Sequence, residues 1–176
     1  MPDLEAAVAR VVAGDVQAFG EIVERTSHEL VRLAARLTGS LEDGEDVVQD
    51  AYVNAYQALS AGRFDGRSGV KTWLYQIVTH RAIDALRSKA RRPVATDRLD
   101  EAVMTTGASP EAQLALLELS EWLEVLPAEQ RAAVVLQSVH GFSSKETADI
   151  LGCSEGAVEQ RLVRARATLR ERRGTP

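Results

Sequence analysis

Residues 143–158 read Ser143-Ser144-Lys145-Glu146-Thr147-Ala148-Asp149-Ile150-Leu151-Gly152-Cys153-Ser154-Glu155-Gly156-Ala157-Val158, and no other segment says as much about the architecture. Ser143 and Glu146 are spaced for a capping box, in which hydroxyl and carboxylate each answer the other residue's backbone amide. Ala148 is small where two helices must cross closely. Leu151, Gly152, Cys153 and Ser154 then supply an apolar anchor, a left-handed turn residue, a small filler and a second cap. Val158, Leu162, Ala165 and Leu169 line one face of the helix that follows, from Ser154 to about Arg173. This is the grammar of a helix-turn-helix, whose second helix can enter a major groove with its first residues at base edges. Gly156, Gln160, Arg164 and Ala167 face away from the apolar stripe, flanked by Glu159 and Arg161. Gln can read adenine, Glu can accept from cytosine, and Arg can hold phosphate or guanine. The bland alternative is an αα-hairpin with a solvated charged face.

Working upstream, helical periodicity continues and no stretch alternates with the period of a strand. Phe19, Ile22, Val23, Leu30, Leu33, Ala34 and Leu37 recur at helical steps, with Asp15 placed to cap and Gly39 to terminate. A second helix is expected from about Asp43 to Leu59, and a third places Val70, Trp73, Leu74, Ile77 and Val78 on one buried stripe until Pro93. Residues Pro93 to Pro110 are poor in apolar groups and rich in Thr and Pro, which predicts a flexible linker. Beyond it, Glu111–Leu126 and Ala128–Val139 are predicted helices broken at Pro127. The expected fold is therefore all-α: two small helical domains, 1–92 and 111–176, joined by a linker at 93–110.

The chain has 176 residues with 21 Lys+Arg against 26 Asp+Glu, a formal charge of −5 that looks wrong for a nucleic-acid binder. The charge is segregated. Residues 1–60 carry 4 basic and 11 acidic side chains, 61–92 carry 8 and 2, 93–141 carry 2 and 8, and 142–176 carry 7 and 5. Alternating blocks imply more than one kind of partner surface. Cys153 has no disulfide partner, and His28, His80 and His140 are far apart in sequence, so disulfide scaffolds and zinc modules are not expected, nor is any cofactor. The N-terminus lacks a basic leader and no run approaches the ~18 apolar residues of a membrane span. A soluble, cytoplasmic protein without membrane insertion is expected.

The basic block at 61–92 contains Phe64, Trp73 and Tyr75 among its cations. Cations track phosphates while rings can stack on unpaired bases, a combination suited to single-stranded or melting DNA. Trp73 sits in the predicted core, so bases should meet the Phe64–Gly69 loop or the opposite face: Thr72, Gln76, Thr79, His80, Ile83 and Arg87. On the acidic second helix, Asp46, Gln49, Asp50 and Val53 fall at i, i+3, i+4 and i+7, a polar strip with one exposed valine. Taken alone, that strip suits a solvated face.

The succession Asp46-Val47-Val48-Gln49-Asp50, then Thr72-Trp73-Leu74-Tyr75-Gln76-Ile77-Val78, then Asp84-Ala85-Leu86-Arg87 resembles region two of bacterial sigma factors of the extracytoplasmic-function group. Leu126-Pro127, Gln130-Arg131, Gly141-Phe142-Ser143, Glu146-Thr147-Ala148, Leu151-Gly152, Ser154 to Val158, Arg161-Leu162 and Arg164-Ala165-Arg166 resemble region four. Together they cover about residues 14–173 in family order. The resemblance implies a promoter-specificity subunit of RNA polymerase, not an enzyme. It implies that Asp46, Gln49, Asp50 and Val53 dock on the β′ clamp coiled coil of the core enzyme. It implies that Phe64, Arg67, Lys71, Gln76, Thr79, His80 and Arg87 meet the minus-ten element. Ser154, Glu155, Glu159, Gln160, Arg161 and Arg164 would read the minus-thirty-five element, with region four also touching the β flap. An anti-sigma factor is implied as regulator. His80 stands where the family usually has Asn, and Glu159-Gln160 where it commonly has Lys-Ser. A carboxylate in place of a cation removes a phosphate attraction and adds a repulsion, or selects a cytosine.

A sigma-like decoy, occupying an anti-sigma factor or polymerase without initiating transcription, is the alternative that Glu159 and the low basicity suggest. The basic block at 61–92 argues against it, because a decoy needs no melting surface. A one-component regulator would leave the first domain unexplained, and no nucleophile, metal or phosphate-loop motif supports an enzyme.

Overall fold

The structure, a computed structural model, describes residues 4–90 and 121–173, all of it helix, turn and loop. The helices are α1 (Leu4–Val12), α2 (Gln17–Thr38), α3 (Leu41–Ser60), α4 (Val70–Ala90), α5 (Ala128–Val134), α6 (Ser144–Leu151) and α7 (Glu155–Arg173), with a short π-helical segment at Val135–Val139. Residues 121–124 are also helical. The expected linker at 93–110 and the start of the helix expected at Glu111 lie outside the described residues.

In the first unit the boundaries follow from caps. Asp15 Oδ1 accepts from the amides of Gln17 and Ala18 at the start of α2, and Gly39, at φ +82°, ends it with its amide on the Ala35 carbonyl. Ser40 Oγ then accepts from the Asp43 amide to start α3, two residues earlier than expected. Gly44 stands where α3 crosses α2: a Cβ there would lie 2.7 Å from the Ala35 backbone nitrogen, so no side chain fits. Leu30, Leu33 and Leu37 of α2 bury themselves against Val47, Val48, Ala51 and Ala55 of α3. Each buried leucine or valine contributes roughly 1.5–3 kcal/mol on leaving water. α1 was not anticipated. Its Ala7, Val8 and Val11 are buried, and Arg10 bridges Asp15 and Glu21 at 2.7 Å each, fixing the turn into α2.

The second unit holds the helix-turn-helix. Ser143 and Glu146 form the reciprocal capping box, Gly152 ends α6 at φ +62°, and Ser154 Oγ accepts from the Ala157 amide to open α7. Val158, Leu162 and Ala165 are buried and Leu169 packs at the edge of the core.

The two units pack directly on each other, and their buried residues form one continuous core. α4 lies in the middle, between α2 and α3 on one side and α5 and α6 on the other. Tyr75 of α4 stacks edge-on against Phe142 and His140. Arg131 of α5, only 6% exposed, reaches across to cap α2: its guanidinium donates to the carbonyls of Leu37 (2.7 Å), Glu124 (3.0 Å) and Leu126 (3.4 Å). A cation at a helix C-terminus answers orphaned carbonyls and the negative end of the dipole.

Candidate nucleic-acid interface

Three surfaces carry the expected site residues. On α3, Asp46, Gln49, Asp50 and Val53 are all exposed on one face, because the buried Val47, Val48, Ala51 and Ala55 turn the opposite face inward. Val53 is 53% exposed, an apolar group in a polar strip. Asp46 and Asp50 also line a groove of about 390 Å³ with Asp43, Arg81 and Asp84, at the α3–α4 junction. Lys89 ties α4 to this edge through Asp43 at 2.9 Å.

The second surface runs from the glycine-rich loop onto α4. Phe64 lies against Trp73 with ring centroids 4.8 Å apart. Arg67 and Lys71 are exposed, although Arg67 pairs with Asp65 at 3.1 Å and Lys71 with Glu29 at 2.8 Å. Trp73, expected in the core, is only half-buried. With Asn54, Gln57, Arg63, Ile77, His80, Arg81 and Asp84 it lines a cavity of about 510 Å³. Arg63 and Arg81 were expected only as members of the basic block and Asn54 was not expected at all; their convergence depends on the α3–α4 packing, which no local pattern announces. Gln76 is half-buried and His80 exposed.

Thr79 corrects the sequence expectation. It is fully buried, at 0% exposure, and its Oγ1 has no hydrogen-bond partner, so it touches no DNA in this arrangement. Ile83, placed on the same outward face, is buried too. The reason is that α4 has two buried flanks: Thr79 follows Tyr75 by one turn on the side where Tyr75 meets the second unit. His80 stands beside Gly152 in the helix-turn-helix, with ring atoms 4.0 Å from where a Cβ there would be. Arg87 is hydrogen-bonded to Glu129 and lies 3.7 Å from Asp84.

The third surface is the outer face of α7. Ser154, Glu155, Gly156, Glu159, Gln160, Arg164 and Ala167 are exposed. Arg161 is not part of that face: half-buried, it turns back and its guanidinium donates to Cys153 Sγ at 3.0 Å. Val163, overlooked in the sequence, is 63% exposed among the polar residues. Its signal was present, since Gly156, Glu159, Gln160 and Val163 follow i, i+3, i+4 and i+7. An exposed β-branched methyl pair at this position can meet a thymine methyl.

Electrostatics bear on the junction of the units. Burial, followed by the charge of Arg36, pushes the His140 imidazole down to about 4, so it is neutral at pH 7. Burial raises the Tyr75 phenol, which donates to Glu29 at 3.1 Å. The Lys71 ammonium holds the Glu29 carboxyl below its ordinary range. Among the described residues no cluster of three or more His, Cys, Asp or Glu could hold a metal, and no helix is long and apolar enough to cross a membrane.

Two family models match the chain: sigma-70 region 2 over residues 22–92 and sigma-70 region 4 over residues 116–169. The ECF RNA polymerase sigma factor SigM of Mycobacterium tuberculosis is 36% identical over 162 residues, covering 92% of this chain and 80% of the relative. The ECF RNA polymerase sigma-E factor of Escherichia coli K12 is 34% identical over 174 residues, covering 92% and 90%. Among solved structures, CnrH in complex with the cytosolic domain of CnrY superposes with a TM-score of 0.70 at 30% identity, covering 97% of this chain and 96% of that one. The sigma factor RpoE from Bartonella quintana, in complex with the anti-sigma factor NepR, superposes with a TM-score of 0.69 at 26% identity over 89% and 96%.

Proposed function

The chain belongs to the sigma-70 family of RNA polymerase sigma factors, in its extracytoplasmic-function group, and from that membership we propose how its surfaces divide the work. Sigma factors are transcription regulators, not catalysts; the polymerase makes and breaks the phosphodiester bonds. Residues 1–92 act as the polymerase-docking and minus-ten unit, 93–110 as the linker, and 111–176 as the minus-thirty-five unit. Asp46, Gln49, Asp50 and Val53 contact the β′ clamp coiled coil. The loop with Phe64 and Arg67, together with Lys71, Gln76, His80 and Arg87, meets the melting minus-ten strand. Ser154, Glu155, Glu159, Gln160 and Arg164 read the upstream duplex, and Arg161 holds the turn that presents them. The protein works in the cytoplasm, where its promoters and polymerase are.

The observation that carries this reading is that two chemically different faces, the acidic strip on α3 and the polar face of α7, stand bare on opposite units of one core. The packed arrangement is an off state. Elements named minus ten and minus thirty-five lie about 25 base pairs apart, about 85 Å along B-DNA at ~3.4 Å per pair. A compact chain of this length has a radius of gyration of about 16 Å and is about 40 Å across. The units must therefore separate for both elements to be held at once. Thr79 Oγ1 on α4 and Thr147 Oγ1 on α6, two helices that pack together, are buried without a partner at a cost of about 1–3 kcal/mol each, which tilts the balance towards separation. An anti-sigma factor would act by holding this form, a proposal motivated by the NepR complex of the Bartonella relative.

Run-off transcription with purified core polymerase on a promoter library tests the reading. Specific initiation at a subset of promoters is expected. Polymerase binding without initiation anywhere would favour a decoy, for which Glu159 on the reading face of α7 is the one structural motive.

A further inference from the structure

The junction of the two units encloses a separate cavity of about 260 Å³, lined by Glu29, Arg32 and Arg36 of α2, Lys71 and Tyr75 of α4, and Val139 and His140 after α5. Its charge is unbalanced. Lys71 is matched by Glu29 at 2.8 Å. Arg32 and Arg36, one turn apart on α2, meet no carboxylate among the described residues, and Arg36 donates only to the Arg32 carbonyl, at 3.3 Å. Both are half-buried. Burial and then the neighbouring Arg32 charge lower the Arg36 pKa, yet a guanidinium does not give up its proton, so the repulsion stays uncompensated. A third group is unmet: His140 Nε2 is buried without a partner, while its Nδ1 lies 3.2 Å from Tyr75 Oη. Because the Tyr75 hydroxyl donates to Glu29, the phenol oxygen accepts from Nδ1–H and Nε2 is left with a free lone pair.

We propose that this junction is a binding site for a small phosphate-bearing anion, held by the paired guanidinium forks of Arg32 and Arg36 and walled on the second unit's side by His140. Planar guanidinium groups match phosphate geometry with two parallel hydrogen bonds each. Pockets for drug-sized ligands run to about 300–1,000 Å³, so this smaller, half-open cavity suits an anion of phosphate or pyrophosphate size. The arginines come from the first unit and His140 from the second. A bound anion therefore ties the units together, and by linkage must weaken any partner that needs them apart.

Thermal unfolding of the full chain, titrated with inorganic pyrophosphate at constant ionic strength, tests the site without polymerase or DNA. A saturable rise in Tm is expected. In Arg32→Gln and in Arg36→Gln its midpoint should move at least tenfold to higher concentration, while exposed Arg170→Gln keeps the wild-type curve. Arg32→Lys retains the charge without the fork and should fall between. Because either arginine variant could perturb folding, calorimetric titration of pyrophosphate into wild type and His140→Gln gives a second reading, with weaker binding to the variant. A rise that never saturates, or is matched by chloride at the same ionic strength, means an adventitious ion only and overturns the proposal. So does wild-type binding in both glutamine variants, or loss of promoter-duplex binding in them with no pyrophosphate effect on wild type, which would assign the pair to DNA phosphates. None of these outcomes bears on docking through α3, which transcription measures independently.

Discussion

α4 and α7 both carry polar and basic residues that sequence reasoning hands to DNA, but only α7 presents its face bare. Gly156, Glu159, Gln160, Val163, Arg164 and Ala167 are open along its length, whereas α4 hides Tyr75, Thr79 and Ile83 beneath the second unit and sets His80 against Gly152. A helix at the edge of a core needs one apolar stripe; a helix in the middle needs two. The packed form thus leaves the outer face of α7 open while the corresponding face of α4 is partly covered. On the division of work proposed above, the upstream duplex would be met first and the melting strand only after the units separate.

The comparison breaks most directly at Arg131. Arg131→Ala removes donors from the carbonyls of Leu37, Glu124 and Leu126 and should cost about 3 kcal/mol in urea unfolding, with faster hydrogen exchange along α4 than along α7. Equal protection of α4 in the variant would show that the latch does not cover it. Next in size, Asp46→Ala combined with Gln49→Ala should weaken core-polymerase binding at least tenfold, about 1.4 kcal/mol, and leave binding of the second unit to upstream duplex unchanged. Parallel loss of both would merge surfaces that the comparison keeps apart.

A pH titration sharpens the same contrast. His140 titrates near 4 when packed and near 6.5 when unfolded, so the unfolded chain binds the extra proton between those values. Its contribution is whole above pH 6.5 and fades as pH falls towards 4; the lowered Glu29 carboxyl adds further loss below its ordinary range. The urea midpoint should drop from pH 7.5 to 5, and His140→Gln should flatten that drop. The smallest effect is expected on α7 itself. Arg164→Ala should reduce the salt slope of duplex binding by about 0.9, while Arg161→Ala, whose side chain faces Cys153, leaves it nearly unchanged. Equal slopes in the two variants would put both arginines on phosphate.

Elements with local signals were legible in the sequence. The capping box at Ser143, the stop at Gly39 and the stripe through Val158, Leu162 and Ala165 each rest on residues within a turn or two of one another, and each was found where expected. α1 was equally local, with Leu4, Ala7, Val8 and Val11 in helical phase, and was passed over. Thr79 and Arg131 were illegible for another reason. Their burial is imposed by partners more than 50 residues away in sequence, and a threonine on a polar face reads the same whether water or another helix covers it. The α3 strip and the outer face of α7 were read as exposed, and they are, because nothing distant packs on them. Arg161 fell between these cases, drawn off its face by the sulfur of Cys153.

The π-helical segment at Val135–Val139 has a consequence for how the second unit tolerates change. Its closing bond, from the His140 amide to the Val135 carbonyl, spans five residues where an α-helix spans four, so the segment accommodates one residue more than regular winding would. Deleting one residue there would restore regular winding and leave the downstream phase nearly unchanged, whereas inserting one more would turn everything downstream by about 100°. After such an insertion His140 and Phe142 would swing off Tyr75, and the whole helix-turn-helix would point elsewhere with its own sequence untouched. The segment acts as a phase setting between the first unit and the helix-turn-helix, tolerant of substitution and of the loss of one residue but not of the gain of another.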